Sequence, residues 1–397
     1  MTREEKRIMG LTFSSHGLVH LFEGVLPPLI PLLLGVFRTD YFHLGLIVTI
    51  FSYAFGLGAL PSGFLADRVG PGRLISIYLF GSGLLSVCVL PLESLITYGL
   101  IMGLMGLFCS TYHPASNTLI SHGIREKGKA FGIHGISGSL GVAVIPILSA
   151  WIGSAMGWKA PHIIFGLFAV GLGFYSLTVP GRTVEPNSPV LAEARGGGLR
   201  SVSYLNLVIF FLSAISLGLT YKGIMTFLPS YMGQNVHLSF LRLNTVTLGG
   251  TVATVALLSG ALGQYLAGRL VDRYNPEQLY LGAIVIGAFF VFVMANSASV
   301  LLVISAVFYA FFYFSTQPIQ IYLLSRYVPP HRHGLGYGTY FLLTFGVGST
   351  AAAGSGYLAD QFGLKWVFYA MGLCFILSSC FALLLLFTAY TQRKTSV

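Results

Sequence analysis

Long apolar segments alternate with short polar ones along the whole chain. A helix needs about 20 mostly apolar residues to cross the hydrocarbon core of a bilayer, and twelve segments of this kind occur. The pattern predicts an all-α membrane protein with twelve transmembrane helices. The predicted spans are residues 9–36, 43–66, 74–92, 96–122, 129–155, 161–180, 204–233, 244–270, 278–296, 299–326, 335–359 and 366–390.

One long polar stretch interrupts this pattern near the middle of the chain. Residues 181–203 contain two prolines and a run of three glycines, a composition typical of a flexible linker. The pattern therefore predicts an N-terminal six-helix bundle over residues 1–180 and a C-terminal six-helix bundle over residues 204–397.

The two predicted bundles share short patterns at a nearly constant spacing. A Gly-x-Leu-x-Asp-Arg pattern follows the second span and occurs again after the eighth, 205 residues later. Pro114 matches Pro318 at an offset of 204, and a Leu-Pro pair in the first span recurs in the seventh at an offset of 202. These matches predict duplication of a six-helix unit, an arrangement that places a binding site between two halves.

Composition and charge agree with a membrane protein. Hydrophobic residues make up 55% of the chain and charged residues only 9%, whereas soluble domains carry about 25% charged residues. The net charge of +10 arises in the predicted loops, where seventeen Lys and Arg lie on one side of the membrane and four on the other. The positive-inside rule then places both termini in the cytoplasm. We expect a multi-pass protein of the bacterial inner membrane that contacts the lipid bilayer and no nucleic acid.

The loop after the second predicted span resembles the signature loop of the major facilitator superfamily. The matching residues are Gly63, Leu65, Ala66, Asp67, Arg68, Gly70 and Arg73. Together with twelve spans and a central linker, this resemblance implies the major facilitator fold and transport by alternating access.

The same resemblance implies gating roles for charged residues of this loop. Asp67, Arg68 and Arg73 are expected to latch the cytoplasmic side in the outward-open state, and Asp272 and Arg273 would do so in the second copy. The second copy departs from the pattern, because Asn275 stands where the first copy has Gly70. The alternative is an ordinary charged turn with a helix-capping Asp and positive-inside Arg.

Two further stretches are similar to export proteins within this superfamily. Residues 112–116 and 227–229 are similar to stretches of bacterial exporters of the fosmidomycin-resistance type. The fifth span partly resembles the glycine-rich motif of drug/proton antiporters, without that motif's Gly-Pro pair. Its residues are Gly132, Gly135, Gly138, Gly141 and Pro146. A multidrug/proton antiporter is therefore one alternative function, and plain helix packing by small residues is the other explanation of these glycines.

Two ionisable residues stand alone in the middle of predicted spans. Glu23 lies within the first span and Lys222 within the seventh, and the repeat places Lys222 at the position equivalent to His20. A charge at mid-membrane depth costs about 2.5–3.5 kcal/mol on insertion scales, so it normally has a partner or a water-filled cavity. We expect Glu23 and Lys222 to face each other across a cavity between the bundles.

Histidines extend this polar cluster. His16, His20 and Glu23 are spaced by four and three residues, which puts them on one helix face, and His113 and His134 could join them. The expected substrate-binding residues are Lys222, His20, His16, Tyr112, His113, Tyr221, Tyr313, Gln317, Gln320, Tyr337 and Tyr340, and the expected proton-coupling residues are Glu23, His20 and His134.

Three interpretations of the cluster remain open. In the first, Lys222 attracts an anionic substrate while Glu23 and a histidine exchange the coupling proton near neutral pH. In the second, Glu23 and Lys222 form a fixed ion pair without a role in recognition. In the third, His16, His20 and Glu23 bind a divalent metal, and the protein transports a metal or a metal chelate.

The source of energy and the reaction class follow from absent motifs. The sequence has no Gly-x-x-x-x-Gly-Lys-Ser/Thr phosphate loop, so an ion gradient is expected to drive transport. No nucleophile and base arrangement indicates an enzyme, and we expect no cofactor. The sequence predicts a proton-coupled secondary transporter that moves a small, anionic organic compound and acts as a monomer. Import and export both remain open.

Overall fold

The architecture comes from a computed structural model that describes residues 1–179, 204–238, 242–328 and 333–395. Within these residues the chain is almost entirely helical. The predicted linker at 181–203 lies outside the described residues.

The apolar spans are helical because lipid offers no hydrogen-bond partners, so each backbone N–H and C=O must be satisfied within its own segment. The first bundle contains α1 (Arg3–Gly24), α2 (Ile30–Phe37), α3 (Tyr41–Val69), α4 (Pro71–Val87), α5 (Leu95–Cys109), α6 (Tyr112–Gly123), α7 (Lys127–Met156) and α8 (Lys159–Ser176). The second contains α9 (Tyr204–Asn235), α10 (Thr245–Leu270), α11 (Pro276–Ala295), α12 (Ser299–Tyr327), α13 (His333–Phe341), α14 (Thr350–Phe362) and α15 (Leu364–Thr395).

Nine spans of the described chain are long and apolar enough to cross a membrane. They correspond to nine of the twelve predicted spans. The third, sixth and eleventh predicted spans fall short. α4 has only 17 residues, and the eleventh span is divided between α13 and α14 by a π-helical turn at Leu342–Gly346 and a 3-10 turn at Val347–Ser349.

The first predicted span is also not one continuous helix. α1 ends at Gly24, and a 3-10 turn at Pro27–Leu29 precedes α2. Proline has no backbone N–H and clashes with the preceding turn, so Pro27 and Pro28 interrupt the helix. The fourth span is interrupted likewise between α5 and α6, where Ser110 and Thr111 donate to carbonyls of α5.

The two bundles meet along two helix pairs, α3 with α14 and α7 with α10. We call the side where α1 begins the terminal face and the side where α3 begins the opposite face. Close approach depends on glycine: a Cβ on Gly45 would collide with the carbonyl oxygen of Ala352, and one on Gly250 with that of Pro146. Only residues without a side chain permit this backbone contact.

Among the described residues, hydrogen bonds join the bundles from the middle of the molecule to the opposite face. Thr49 Oγ1 donates to the Ser349 carbonyl at 2.8 Å, and Asn244 donates to Ser154 Oγ at 2.6 Å. Toward the terminal face α7 is exposed, and nothing lies within 4 Å of the Cβ position of Gly132 or Gly135. The bundles are therefore closed against each other at the opposite face and separated along α7 toward the terminal face.

Candidate functional site

An ion pair joins the two bundles in the middle of the molecule. Lys222 Nζ of α9 lies 2.5 Å from Glu23 Oε1 of α1. The side chains are only 5% and 10% exposed, and neither points into the lipid. The two isolated charges predicted from the sequence do face each other.

Local sequence explains where these two charges lie. Glu23 is the last side chain before α1 ends at Gly24, immediately ahead of the proline break. A Cβ on Gly24 would come within 2.8 Å of Ile145 of α7, so a glycine here lets α7 pack against the end of α1. Lys222 lies in the middle of α9, a 32-residue helix.

His20 is the second hydrogen-bond partner of the Glu23 carboxylate. Its Nδ1 lies 3.0 Å from Glu23 Oε2, one helical turn earlier on α1. Glu23 therefore accepts from Lys222 with one oxygen and from His20 with the other. Such charge-assisted hydrogen bonds are the stronger kind in proteins.

The ion pair lines a central cavity that is partly open to solvent. Both bundles contribute to its wall, and most of the lining is apolar, as is usual for small-molecule sites. The polar lining residues are His20, Glu23, Tyr221, Lys222 and Thr226. Four prolines, Pro27, Pro28, Pro146 and Pro229, lie in the wall at helix breaks or within helices.

Four histidines converge beside this cavity. The ring centroid of His16 is 5.1 Å from that of His20, 5.2 Å from that of His113 and 4.0 Å from that of His134. His16 is 8% exposed and its Nδ1 donates to the His134 carbonyl at 2.7 Å. The predicted assembly of the histidines of α1, α6 and α7 is thus present in the structure.

Tyr112 lies behind the histidines and away from the cavity. It is fully buried, and its hydroxyl donates to the Thr12 carbonyl at 2.6 Å. Because that hydroxyl has a single proton, His134 Nε2, at 2.9 Å, must carry the hydrogen it shares with Tyr112. This placement favours a positioning role for Tyr112 over the expected contact with substrate.

The other expected liners surround a second cavity within the C-terminal bundle. Tyr221 belongs to the lining of both cavities. Its polar lining residues are Tyr221, Tyr313, Gln317, Gln320, Tyr340 and Thr344. The rings of Tyr221 and Tyr313 are stacked with centroids 5.4 Å apart. Tyr337 is half-buried and is not part of either lining.

The expected gating residues lie at the terminal face. Arg68, Arg73, Asp272 and Arg273 have exposed side chains, while the side chain of Asp67 lies outside the described structure. The turn between α3 and α4 depends on Gly70, whose φ of 92° suits glycine. The structure thus places these residues on the separated side of the molecule.

The glycines of α7 divide into two kinds. A Cβ on Gly138 would lie 2.6 Å from His16 Nε2, and one on Gly141 would lie 2.6 Å from the Gly17 carbonyl. Gly132 and Gly135, by contrast, have nothing within 4 Å. Packing of α7 against α1 therefore explains Gly138 and Gly141, and it does not explain the other two.

Two polar contacts between the bundles were not anticipated from the sequence. Ser139 donates to Gln264 Oε1 at 2.6 Å, and Gln264 donates in turn to Gln317 Oε1 at 2.6 Å. At the opposite face Asp360 accepts from the backbone N–H groups of Tyr41 at 3.0 Å and Phe42 at 2.8 Å. A polar amide in an apolar span could have indicated Gln264, whereas Asp360 resembles any loop carboxylate.

Comparisons with known sequences support the predicted fold. A family model described as Major Facilitator Superfamily matches residues 12–249 and 210–397. The chain is 25% identical over 256 residues to the "Probable L-galactonate transporter" of Escherichia coli (strain K12), covering 60% of this chain and 54% of that protein. It is 22% identical over 338 residues to the "Cis,cis-muconate transport protein" of Acinetobacter baylyi, covering 81% of this chain and 79% of that protein. The chain thus spans about half the length of the first of these relatives.

A solved structure has the same architecture. It is a bacterial homolog of the human lysosomal transporter Spinster, in an inward-facing and occupied conformation, with a TM-score of 0.79. The two chains are 13% identical, and the match covers 97% of each. At this identity the likeness shows the fold alone, and it confirms the predicted fold class.

Proposed function

Because the chain belongs to the Major Facilitator Superfamily, we propose that it is a secondary active transporter that moves a small organic anion together with a proton. Its relatives are transporters, and it is not an enzyme. The observation that carries the proposal is the ion pair between Glu23 and Lys222 across the central cavity. One chain supplies both halves of this cavity, which supports a monomer as the functional unit.

The coupling follows from the cost of separating this pair. Removing one partner from a buried ion pair typically costs about 3–5 kcal/mol, because the other charge is left without compensation. Lys222 can leave Glu23 at low cost only if Glu23 becomes neutral and another anion takes its place. A proton on Glu23 and an organic anion on Lys222 therefore bind together, and the net charge of the cavity stays the same.

The anionic character of the substrate rests on Lys222 and on the relatives. The cationic Nζ points into the cavity from α9, next to the aromatic rings of Tyr221 and Phe345. Galactonate and muconate, which appear in the names of the two relatives, are both carboxylates. A substrate carboxylate would take the place of Glu23 on Lys222, with the amides and hydroxyls of the second cavity beside it.

The histidines offer a route for the proton. His20 hydrogen-bonds Glu23 and lines the cavity, so it can pass a proton between the carboxylate and cavity water. His16 and His134 continue the row of rings away from Glu23. Histidine suits this task because its two ring nitrogens can donate and accept hydrogen bonds at the same time.

In a transporter that works by alternating access, the central cavity opens to one side of the membrane at a time, and the loop charges indicate which side this is. We place the terminal face in the cytoplasm, because seventeen of the Lys and Arg residues lie on that side. In this orientation the structure is closed toward the periplasm. The loop residues Asp67, Arg68 and Arg73, with Asp272 and Arg273, would latch the cytoplasmic face in the outward-facing state.

Transport in proteoliposomes tests this proposal. We expect Glu23→Gln to reduce anion accumulation driven by a pH gradient to background, while anion exchange at equal pH persists, since neutral Gln leaves Lys222 free. Lys222→Ala is expected to weaken anion binding more than about tenfold, because the carboxylate loses its charged partner. Labelled L-galactonate, cis,cis-muconate and a panel of other sugar acids and dicarboxylates serve as substrates.

Glu93→Gln is the matched control, since Glu93 is an exposed glutamate in the loop between α4 and α5. It should leave both assays unchanged. Accumulation at the wild-type level in Glu23→Gln would contradict proton coupling through this residue. Failure of the wild-type protein to bind any anion of the panel would contradict the substrate class.

A further inference from the structure

Three histidines of the first bundle are arranged as metal ligands. One ring nitrogen from each of His16, His20 and His113 lies within 4.8 Å of the others. In a tetrahedral zinc site the nitrogens bind at about 2.0–2.1 Å from the metal, which puts them about 3.4 Å from one another. The rings of His20 and His113 are half-buried, and they would have to turn toward His16 to reach that spacing.

Hydrogen bonds fix the tautomers that metal binding needs. A backbone carbonyl can only accept, so His16 Nδ1, 2.7 Å from the His134 carbonyl, carries the hydrogen and leaves the lone pair on Nε2. His20 Nδ1 faces the Glu23 carboxylate at 3.0 Å and leaves its own Nε2 with a lone pair in the same way. Histidines that bind metals almost always donate their other N–H to a carbonyl or a carboxylate. Two of the three rings already have this outer partner.

We propose that His16, His20 and His113 form a binding site for one divalent transition-metal ion, such as Zn²⁺, Co²⁺ or Ni²⁺. Imidazole nitrogen suits these ions, whereas Mg²⁺ and Ca²⁺ require oxygen ligands. Three protein nitrogens leave a fourth position of a tetrahedral site open. Of the three residues, His20 lines the central cavity, so water or a ligand oxygen would reach the open position from the side of His20.

The surroundings of the three rings support the site. All three residues belong to one bundle, His16 and His20 to α1 and His113 to α6, so movement of the bundles against each other leaves the ligands together. Gly138 of α7 lies against the His16 ring and leaves no room for a side chain there. The Glu23 carboxylate lies on the outer side of His20, 3.0 Å from its Nδ1, and holds the orientation of that ring. The site shares His16 and His20 with the proposed proton route, so metal binding is measured below without any transport step.

Cobalt absorption of the purified full-length protein in detergent tests the proposal. Tetrahedral Co²⁺ absorbs visible light far more strongly than hydrated Co²⁺, so the spectrum reports coordination geometry without any transport assay. We expect one equivalent of Co²⁺ to give the tetrahedral spectrum and Zn²⁺ to abolish it by competition. His113→Ala and His20→Gln should each weaken Co²⁺ binding by more than about tenfold. Loss of a residue that only hydrogen-bonds a metal ligand already weakens metal affinity by about this factor, and these variants remove a ligand itself.

His162→Gln is the matched control, because His162 is a buried histidine of the same bundle with Tyr98 as its partner at 3.0 Å. It should bind Co²⁺ like the wild-type protein. The thermal stability of each variant without metal shows whether it is folded. Absence of the tetrahedral spectrum in the folded wild-type protein would overturn the proposal, as would an unchanged affinity in both His113→Ala and His20→Gln.

Discussion

At the scale of single residues, Gly138 holds His16 in its place. Any side chain at this position would meet the imidazole of His16, with Nε2 2.6 Å from the Cβ. His16 cannot move away without giving up its hydrogen bond to the His134 carbonyl. Overpacking of this kind typically costs about 1–3 kcal/mol. We therefore expect Gly138→Ala to lower the thermal midpoint of the purified protein and to displace the histidine cluster.

Gly135→Ala provides the control, three residues away on the same helix. Nothing lies within 4 Å of its Cβ position, and alanine favours a helix over glycine by about 1 kcal/mol. Its thermal midpoint should stay the same or rise. Equal midpoints for the two variants, measured under the same conditions, would show that the His16 ring can move aside without loss of stability.

The pair of Glu23 and Lys222 could be predicted because both charges are isolated in apolar spans and the repeat relates their helices. The convergence of His113 and His134 on His16 could only be suggested, since the sequence does not give the rotation of α6 and α7 about their axes. Tyr112 illustrates the same limit: its span was correctly placed, but its side chain points into the packed interior.

At the scale of helices, Asp360 connects the end of α14 to the start of α3. Its carboxylate accepts the backbone N–H groups of Tyr41 and Phe42, which have no partner within the helix. A negative charge is favourable at a helix N-terminus. We expect Asp360→Asn to weaken closure at the opposite face severalfold, seen as faster labelling of a cysteine introduced by Met225→Cys in the cavity lining.

Asp40→Asn separates this contact from ordinary helix capping. Asp40 caps the same helix through the His43 N–H at 2.9 Å, but it belongs to the same bundle as α3. Its loss should affect stability without faster labelling from the opposite face. The native cysteines are replaced by serine in every variant. Identical labelling in the two variants would mean that Asp360 does not hold the bundles together.

Helix positions follow closely from the apolar pattern where no special geometry intervenes. The predicted spans 278–296 and 299–326 agree with α11 and α12 within two residues. The apolar pattern does not show where a helix breaks within a span, because the residues at the break are also apolar. Two adjacent prolines explain the break after Glu23, but the π-helical turn at Leu342–Gly346 contains no proline and arises where α9 and α3 pack against it.

At the scale of the whole molecule, the family fold could be predicted, since the signature loop and the alternation of apolar and polar segments are visible in the sequence. Duplication of a six-helix unit stays a prediction. The state of the molecule could not be predicted, because inward and outward states share one sequence and one set of helices. Which state is favoured depends on contacts between bundles, such as those of Gly45 and Gly250, and these appear only once the helices are assembled.

The central claim is that Glu23 takes up a proton when an anion replaces it on Lys222. Proton uptake during anion binding tests it most directly, measured by titration calorimetry of the purified protein in buffers of different ionisation enthalpy. We predict uptake of close to one proton per anion near neutral pH, with affinity rising by up to about tenfold per unit fall in pH. In Glu23→Gln the uptake should vanish while the anion still binds. Anion binding without proton uptake in the wild-type protein, or equal uptake in Glu23→Gln, would contradict this account.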